Sequence, residues 1–331
     1  MSSSSEPITT LPAHRVDLQK DGTSTLSKWE KTVDISGPVK SIDVVLSFTD
    51  GIANAISTHD EIVPGTAGNS IQTLDDFMAK IENIHIKPTG RETAVNISGK
   101  MAAELMKGKY PGKCFKTTIL RNDADDADIE VVSAVALKFD FTDYMKKMDL
   151  ALPASAKSVN IKIEFNSDLK IVLKEKDGGS GTQNVFPELT VRVVQDMNIS
   201  SRGYRTYFEQ EYPISGYDNK TLKDIKFLQK GFLDSFIIDN RDPDDPTKIP
   251  DIKDIELVVD DHQYPLITTA ELEQMSAQLY NDELFNNTSI YCDLAGPILA
   301  AKANSLKLYL KFGSLNSAEA LKIMFEYIVQ I

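Results

Sequence analysis

The chain has 331 residues, of which 41% are hydrophobic and 26% charged, and its formal net charge is −13. That length suits two domains of ordinary size or one large one, with apolar content enough for a core in each half. The acidic balance repels phosphate backbones and argues against direct nucleic-acid binding, and no apolar run approaches the roughly 20 residues of a membrane-spanning helix.

The opening MSSSSEPITT has neither the basic nor the apolar segment of a secretory leader, so folding in a cytosol-like compartment is expected. Residues 1–25 are serine-rich and aperiodic, which predicts a flexible N-terminal arm. Period-two alternation starts at Ile42, Val44, Leu46 and Phe48. A short helix is expected near Asp75–Lys80, and another over Lys100–Lys107 with Met101 and Leu105 inward. Alternation returns at Val135, Leu137, Phe139 and Phe141, and a further short helix is expected over Thr142–Met148. Strands follow at Val159, Ile161, Ile163 and Phe165, and at Leu189, Val191 and Val193. Thr268 and Glu271 form a capping box ahead of Leu272, Met275 and Leu279. The pattern ends with Leu306, Leu308, Leu310 and Phe312, then Ile323, Phe325, Tyr327, Val329 and Ile331.

Alternation places these side chains on one face of a pleated strand and Lys, Glu or Asp on the other, the pattern of antiparallel sheets with one wet face. Helices do not alternate with strands, which disfavours a βαβ parallel sheet. Long polar loops rich in Gly, Pro and Asp separate the strands at Asn122–Asp128, Asp177–Thr182 and Asp239–Asp251.

The two halves repeat one another. VDISG, ending at Gly37, matches YPISG, ending at Gly216. VKSIDVV from Val39 matches LKDIKFL from Leu222, and IENIHI from Ile81 matches IKDIEL from Ile252. A turn and a short helix follow in both halves, ending at Tyr110 and Tyr280. KFDF, ending at Phe141, pairs with YCDL, ending at Leu294, and ASAKSVNIKIEF, ending at Phe165, pairs with AKANSLKLYLKF, ending at Phe312. LTVRVVQ and LKIMFEYIVQ close the halves. The specificity lies in the order, since strands share a small alphabet. An all-β fold of two tandem jelly-roll β-sandwiches with a few short inserted helices is expected, the first over residues 26–200 and the second over 201–331.

Signals for chemistry are sparse. His14, His59, His85 and His262 stand far apart in sequence, and none is at metal-ligand spacing from another. His85 is expected on the wet face of a strand, opposite Ile84 and Ile86. Gly178, Gly179 and Gly181 follow a strand without opening a helix, so a hairpin is favoured over a phosphate cradle. Asp123, Asp125, Asp126 and Asp128 lack EF-hand spacing and read as a solvated loop. Cys114 and Cys292 lie in apolar stretches and read as packed thiols. Asn96, Asn198 and Asn287 begin sequons that carry no weight without a leader. No catalytic, cofactor-binding or metal-ligating residue is assigned, no cofactor is expected, and the protein is read as a non-enzyme.

Tandem jelly rolls, a helix ahead of the last strands in each half, an N-terminal arm and no catalytic motif resemble the double jelly-roll major capsid proteins of the adenovirus–tectivirus lineage. VDDHQYPLITTAELEQMSAQLYN is similar in style to the second-domain strand, turn and helix of small capsid proteins from membrane-containing phages of the corticovirus and finnlakevirus type. The resemblance implies a homotrimer of pseudo-hexagonal outline that tiles an icosahedral shell of a tailless virus over an internal membrane. It implies contacts with neighbouring capsomers, with vertex or penton proteins and with membrane proteins, the N-terminal arm reaching a neighbour or the membrane. It further implies a place in the virion after assembly in the host cytoplasm. A viral spike or glycan-binding double sandwich is the alternative, and a two-domain jelly-roll hydrolase, such as an amidase acting on glycans, is a third reading.

Overall fold

The computed structural model describes residues 8–48, 59–62, 73–109, 114–122, 127–142, 149–175, 182–215, 219–222, 231–245, 247–260, 262–263, 267–268, 271, 289–298 and 306–331. The chain forms two compact units, Met1–Met106 with Gly112–Ser201, and Lys107–Pro111 with Arg202–Ile331.

In chain order the first unit carries β1 (Ile8–Thr10), β2 (His14–Asp17), β3 (Lys28–Asp34), β4 (Val39–Ser47) and β5 (His59–Ile62). Helix α1 (Leu74–Ala79), β6 (Ile81–Pro88), β7 (Val95–Ile97) and the start of helix α2 (Gly99–Lys109) follow. Then come β8 (Phe115–Asn122), β9 (Ala127–Asp140), β10 (Ser158–Phe165), β11 (Ile171–Glu175), β12 (Thr182–Val185) and β13 (Glu188–Asp196). One sheet runs β1-β13-β4-β9-β8, with β2 also on β13. A second places β3, β10, β6 and β7 side by side, and β12-β11-β5 form a small third sheet.

The alternating sets meet in register. Ile42, Val44 and Leu46 lie opposite Phe139, Leu137 and Val135 on one side and Val193, Val191 and Leu189 on the other. All nine are at most 1% exposed. Across the sandwich, Ile161 and Ile163 pair with Ile86 and Ile84 and are equally buried. At ~1.5–3 kcal/mol per large buried side chain, such rungs supply the main favourable term against chain entropy. Helix α1 is started by a capping box: Thr73 Oγ1 accepts from the Asp76 N–H at 3.1 Å, while Asp76 accepts from the Thr73 N–H at 3.2 Å. Gly99 opens α2 where a Cβ would lie 2.3 Å from the Met78 carbonyl and 2.6 Å from Ile81 Cβ, so only glycine allows that approach. Met101 and Leu105 point inward as expected, each 1% exposed.

The second unit carries β14 (Gly203–Pro213), β15 (Asn219–Leu222), β16 (Gly231–Asp239), β17 (Asp251–Val259), β18 (His262–Gln263), β19 (Ile267–Thr268), β20 (Ser289–Ile298), β21 (Leu306–Ser314) and β22 (Ala320–Gln330). β14, β22, β16 and β20 follow one another in one sheet, and β15-β21-β17-β18 form the other, with β19 on β17. Their inner faces share one core that includes Phe236, Ile238, Phe325 and Tyr327 from the first sheet and Ile255, Leu257, Leu308 and Leu310 from the second. The capping box at Thr268 is present: its N–H donates to Glu271 at 3.0 Å, and the Glu271 N–H donates to its hydroxyl at 3.1 Å. The rest of that expected helix, like 143–148 and the tips of the loops at 123–126 and 176–181, lies outside the described residues.

The Asp239–Asp251 loop is pinned from within. The Asp242 carboxylate accepts N–H groups from Asp244 at 2.9 Å, Asp245 at 3.1 Å and Ala320 at 3.3 Å, and from Glu319. Burial opposes its charge, but these donors outweigh it and hold the carboxyl below the usual carboxylate range. Asn240 adds a bond from its amide to the Pro250 carbonyl at 2.6 Å.

Successive strands alternate between the two sheets in the same way in both units, which is a jelly roll in each. This equivalence shifts part of the sequence alignment. On β13 the position that β14 holds on β22 is taken by β1 and β2, in the stretch read as an arm. Ile8 pairs with Asp196, Val16 pairs with Leu189, and Leu18 is fully buried. VDISG therefore ends a second strand, β3, whereas YPISG ends a first strand, β14. Likewise VKSIDVV is β4, whose counterpart is β16 rather than the segment from Leu222. The later matches, β6 with β17, β9 with β20, β10 with β21 and β13 with β22, join equivalent strands.

Candidate assembly surfaces

The sheet of β3, β10 and β6 turns a polar face outward, because the inward positions of each strand are apolar. Lys28 and Glu30 pair at 3.0 Å on β3, and Lys162 and Glu164 pair on β10 at 2.5 Å. Asn160 donates to Glu30 and to Thr32, each at 3.3 Å, and Asn83 donates to Asn96 at 3.3 Å. His85 sits in this ladder beside Ile84 and Ile86, which point into the core. Partial burial, then Lys87 and Lys162, push its imidazole below the ordinary value, so it is neutral at pH 7. The matching face of the second unit pairs Lys311 with Asp254 at 3.2 Å and Lys253 with Asp251 at 2.8 Å. Exposed pairs of this kind contribute at most about 1 kcal/mol each to stability.

The β14-β22-β16 sheet departs from the expectation of one wet face. Met324, Glu326 and Ile328 alternate with the core set of β22 and are also buried, at 0%, 0% and 2% exposure. Arg205 on β14 reaches Glu326, and it meets Asp234 at 2.5 Å. Asp234 occupies the irregular step in β16 between Leu233 and Ser235, and Ser235 donates to Glu326 at 2.9 Å. Burial works against the guanidinium charge, but the carboxylates of Glu326 and Asp234 together outweigh it and hold Arg205 protonated. This cluster was not read from the sequence. Its signal is a lone Glu inside the apolar run IMFEYIV.

The histidines are placed apart: His14 on β2, His59 on β5, His85 on β6 and His262 on β18. Among the described residues no group of three or more His, Cys, Asp or Glu is placed to hold a metal ion. Cys114 and Cys292 are buried thiols, one in each unit. Trp29 is 8% exposed and packs inward from β3. β11 and β12 are antiparallel neighbours, and the glycine-rich stretch between them, with Gly178, Gly179 and Gly181, lies outside the described residues. No helix among the described residues is long and apolar enough to cross a membrane.

No protein-family model matches this sequence, and comparison with curated proteins finds no match. Solved structures do match. The major capsid protein of Sulfolobus Turreted Icosahedral Virus superposes with a TM-score of 0.64 at 11% identity, covering 96% of this chain and 97% of its own. The PBCV-1 virus capsid chain gives 0.57 at 8% identity, covering 100% and 97%. The major capsid protein P2 of bacteriophage PM2 gives 0.54 at 11% identity, covering 97% and 98%. At these identities the likeness is one of fold, and it spans both units. The chain has the double jelly-roll fold of viral major capsid proteins.

Proposed function

We propose that this chain is a major capsid protein that acts by self-association rather than by catalysis. Three copies form a trimer whose six jelly rolls give a pseudo-hexagonal outline, and trimers tile the icosahedral shell of a tailless virus enclosing an internal membrane. The observation that carries this reading is the doubling: two units with equivalent strand order in one chain. A trimer of doubled chains presents six similar sides and packs hexagonally while obeying three-fold symmetry. The polar sheet faces of both units supply walls for neighbouring capsomers, and vertex and membrane proteins complete the particle. Residues ahead of β1 serve as an arm toward a neighbour or the membrane. The net charge of −13 keeps the shell from direct contact with the genome. Assembly takes place in the host cytoplasm.

Light scattering on the purified chain tests this. The expected mass is three times the 36.7 kDa chain, and electron microscopy of concentrated samples shows hexagonally packed plates. A strict monomer at micromolar concentration overturns the proposal.

A further inference from the structure

On the first unit, β12 and the following Phe186 border the outward face of the β2-β13-β4 sheet and leave a depression of about 550 Å³. Its floor is a set of outward positions. Leu189, Val191 and Val193 of β13 face the core, so Glu188 and Arg192 face out. On β2, Asp17 lies opposite Glu188 and Arg15 opposite Thr190. Gln183 contributes an amide from β12 and Phe186 a half-buried ring.

Along β13, recognition falls to side chains alone. β13 is paired on both edges, by β1 and β2 on one side and β4 on the other, so it offers no open edge to an extended peptide. Asp17 and Glu188 face one another on one rung, Arg15 lies on the next rung opposite Thr190, and Arg192 lies one outward position further along β13, so acceptors and cationic donors adjoin along the floor. An anion is repelled by the acids and a cation by the arginines, while an apolar ligand displaces water from these charged groups and offers them no hydrogen bond in return. The hydroxyl is a neutral group that both donates and accepts, so a ligand dense in hydroxyls satisfies the acids and the arginines alike. A half-buried aromatic ring at the edge gives an apolar face for the C–H side of a sugar ring. The volume falls within the range of small-molecule sites. We propose that this depression binds a short neutral saccharide. The site lies within one unit and stands independently of self-association. A trimer without sugar binding leaves the capsid reading intact, and a monomer that binds sugar leaves this one intact.

Saturation-transfer NMR on the full chain tests it, with maltose, lactose and chitobiose as probes at millimolar concentration. Inorganic phosphate and putrescine serve as anion and cation competitors. At least one disaccharide receives saturation, and Arg192→Ala and Glu188→Ala each weaken its binding about tenfold through loss of a charge-assisted hydrogen bond. Both side chains point away from the core, so an unchanged melting temperature verifies folding. Lys31→Ala, at an exposed position of β3 in the other sheet, leaves the signal unchanged. The proposal is overturned if none of the three sugars receives saturation, if the two floor variants bind as the wild type does, or if phosphate or putrescine displaces the sugar.

Discussion

Replacing Arg205 with methionine removes the cation that Glu326 faces while roughly keeping the volume of the side chain. Glu326 is 0% exposed, and the Ser235 hydroxyl gives it a neutral donor at 2.9 Å. Leaving a buried carboxylate without its partner costs about 3–5 kcal/mol. At roughly 2–4 °C per kcal/mol for domains of 150–250 residues, the unfolding midpoint of the second unit falls by about 6–20 °C. Scanning calorimetry measures this directly. Tryptophan fluorescence does not, because Trp29 lies in β3 of the first unit. Near-UV circular dichroism of the tyrosines is the complementary probe, since Tyr204, Tyr207, Tyr212 and Tyr327 are buried in the second unit. The double variant Arg205→Met/Glu326→Leu removes both charges and recovers most of the loss; Asp234, with 21% of its side chain exposed, keeps access to solvent. A single variant that melts within about 1 °C of wild type, or a double variant no better than the single, refutes the view that this cluster is a desolvated ion network.

Asp242→Ala strips four backbone N–H groups of their acceptor and lowers stability by about 1.5–3 kcal/mol in urea titrations at pH 7. Because the folded carboxyl titrates below its unfolded value, its contribution is full at neutral pH and is lost as pH falls through the lowered value. The gap between wild type and variant therefore narrows in acid, and a gap that widens there contradicts the assignment. His85 titrates below its unfolded value too, so the unfolded chain binds the proton first as pH drops, and the fold loses stability below the ordinary imidazole range. His85→Gln flattens the stability profile between about pH 7 and 5, and an unchanged slope rules this out. Deleting residues 1–18 removes β1, β2 and the fully buried Leu18 and opens the outer edge of β13. The expected result is association beyond the native oligomer by light scattering, whereas a dispensable arm predicts no change.

Where a strand has one buried and one wet face, its sequence announced it. β4, β9, β10, β13 and β21 all follow from alternation, and their apolar sets are the ones that meet in register. β22 is different: its second face is closed, and Met324 and Ile328 blur the alternation into a continuous apolar run. β14 was hidden for the opposite reason. It carries polar residues at buried positions, and Thr206 Oγ1, Gln210 Oε1 and Tyr212 Oη have no hydrogen-bond partner among the described residues. β1 and β2 are three and four residues long with exposed or half-exposed side chains, so period-two patterning has nothing to register. The sequence repeat therefore starts one strand late in the first unit, while the longer, half-buried strands downstream match their true counterparts. The Arg205–Glu326–Asp234 cluster depends on the juxtaposition of three strands and on an irregular step in β16, which no local pattern encodes.

Each unit is closed by hydrogen-bonding its final strand to its first: Ile8 lies across from Asp196, and Gly203 across from Gln330. Contacts this distant along the chain are entropically costly to form early, so both units belong among slow folders. Vectorial synthesis eases the problem. Once β13 has been made, every strand of the first unit exists and none of the second does. Equivalent strands of the two units are natural competitors, since β13 and β22 each seek a first-strand partner. Order of birth removes that competition, and a chain permuted to begin at β14 tests whether the cell relies on it: more of it is expected in aggregates at equal expression.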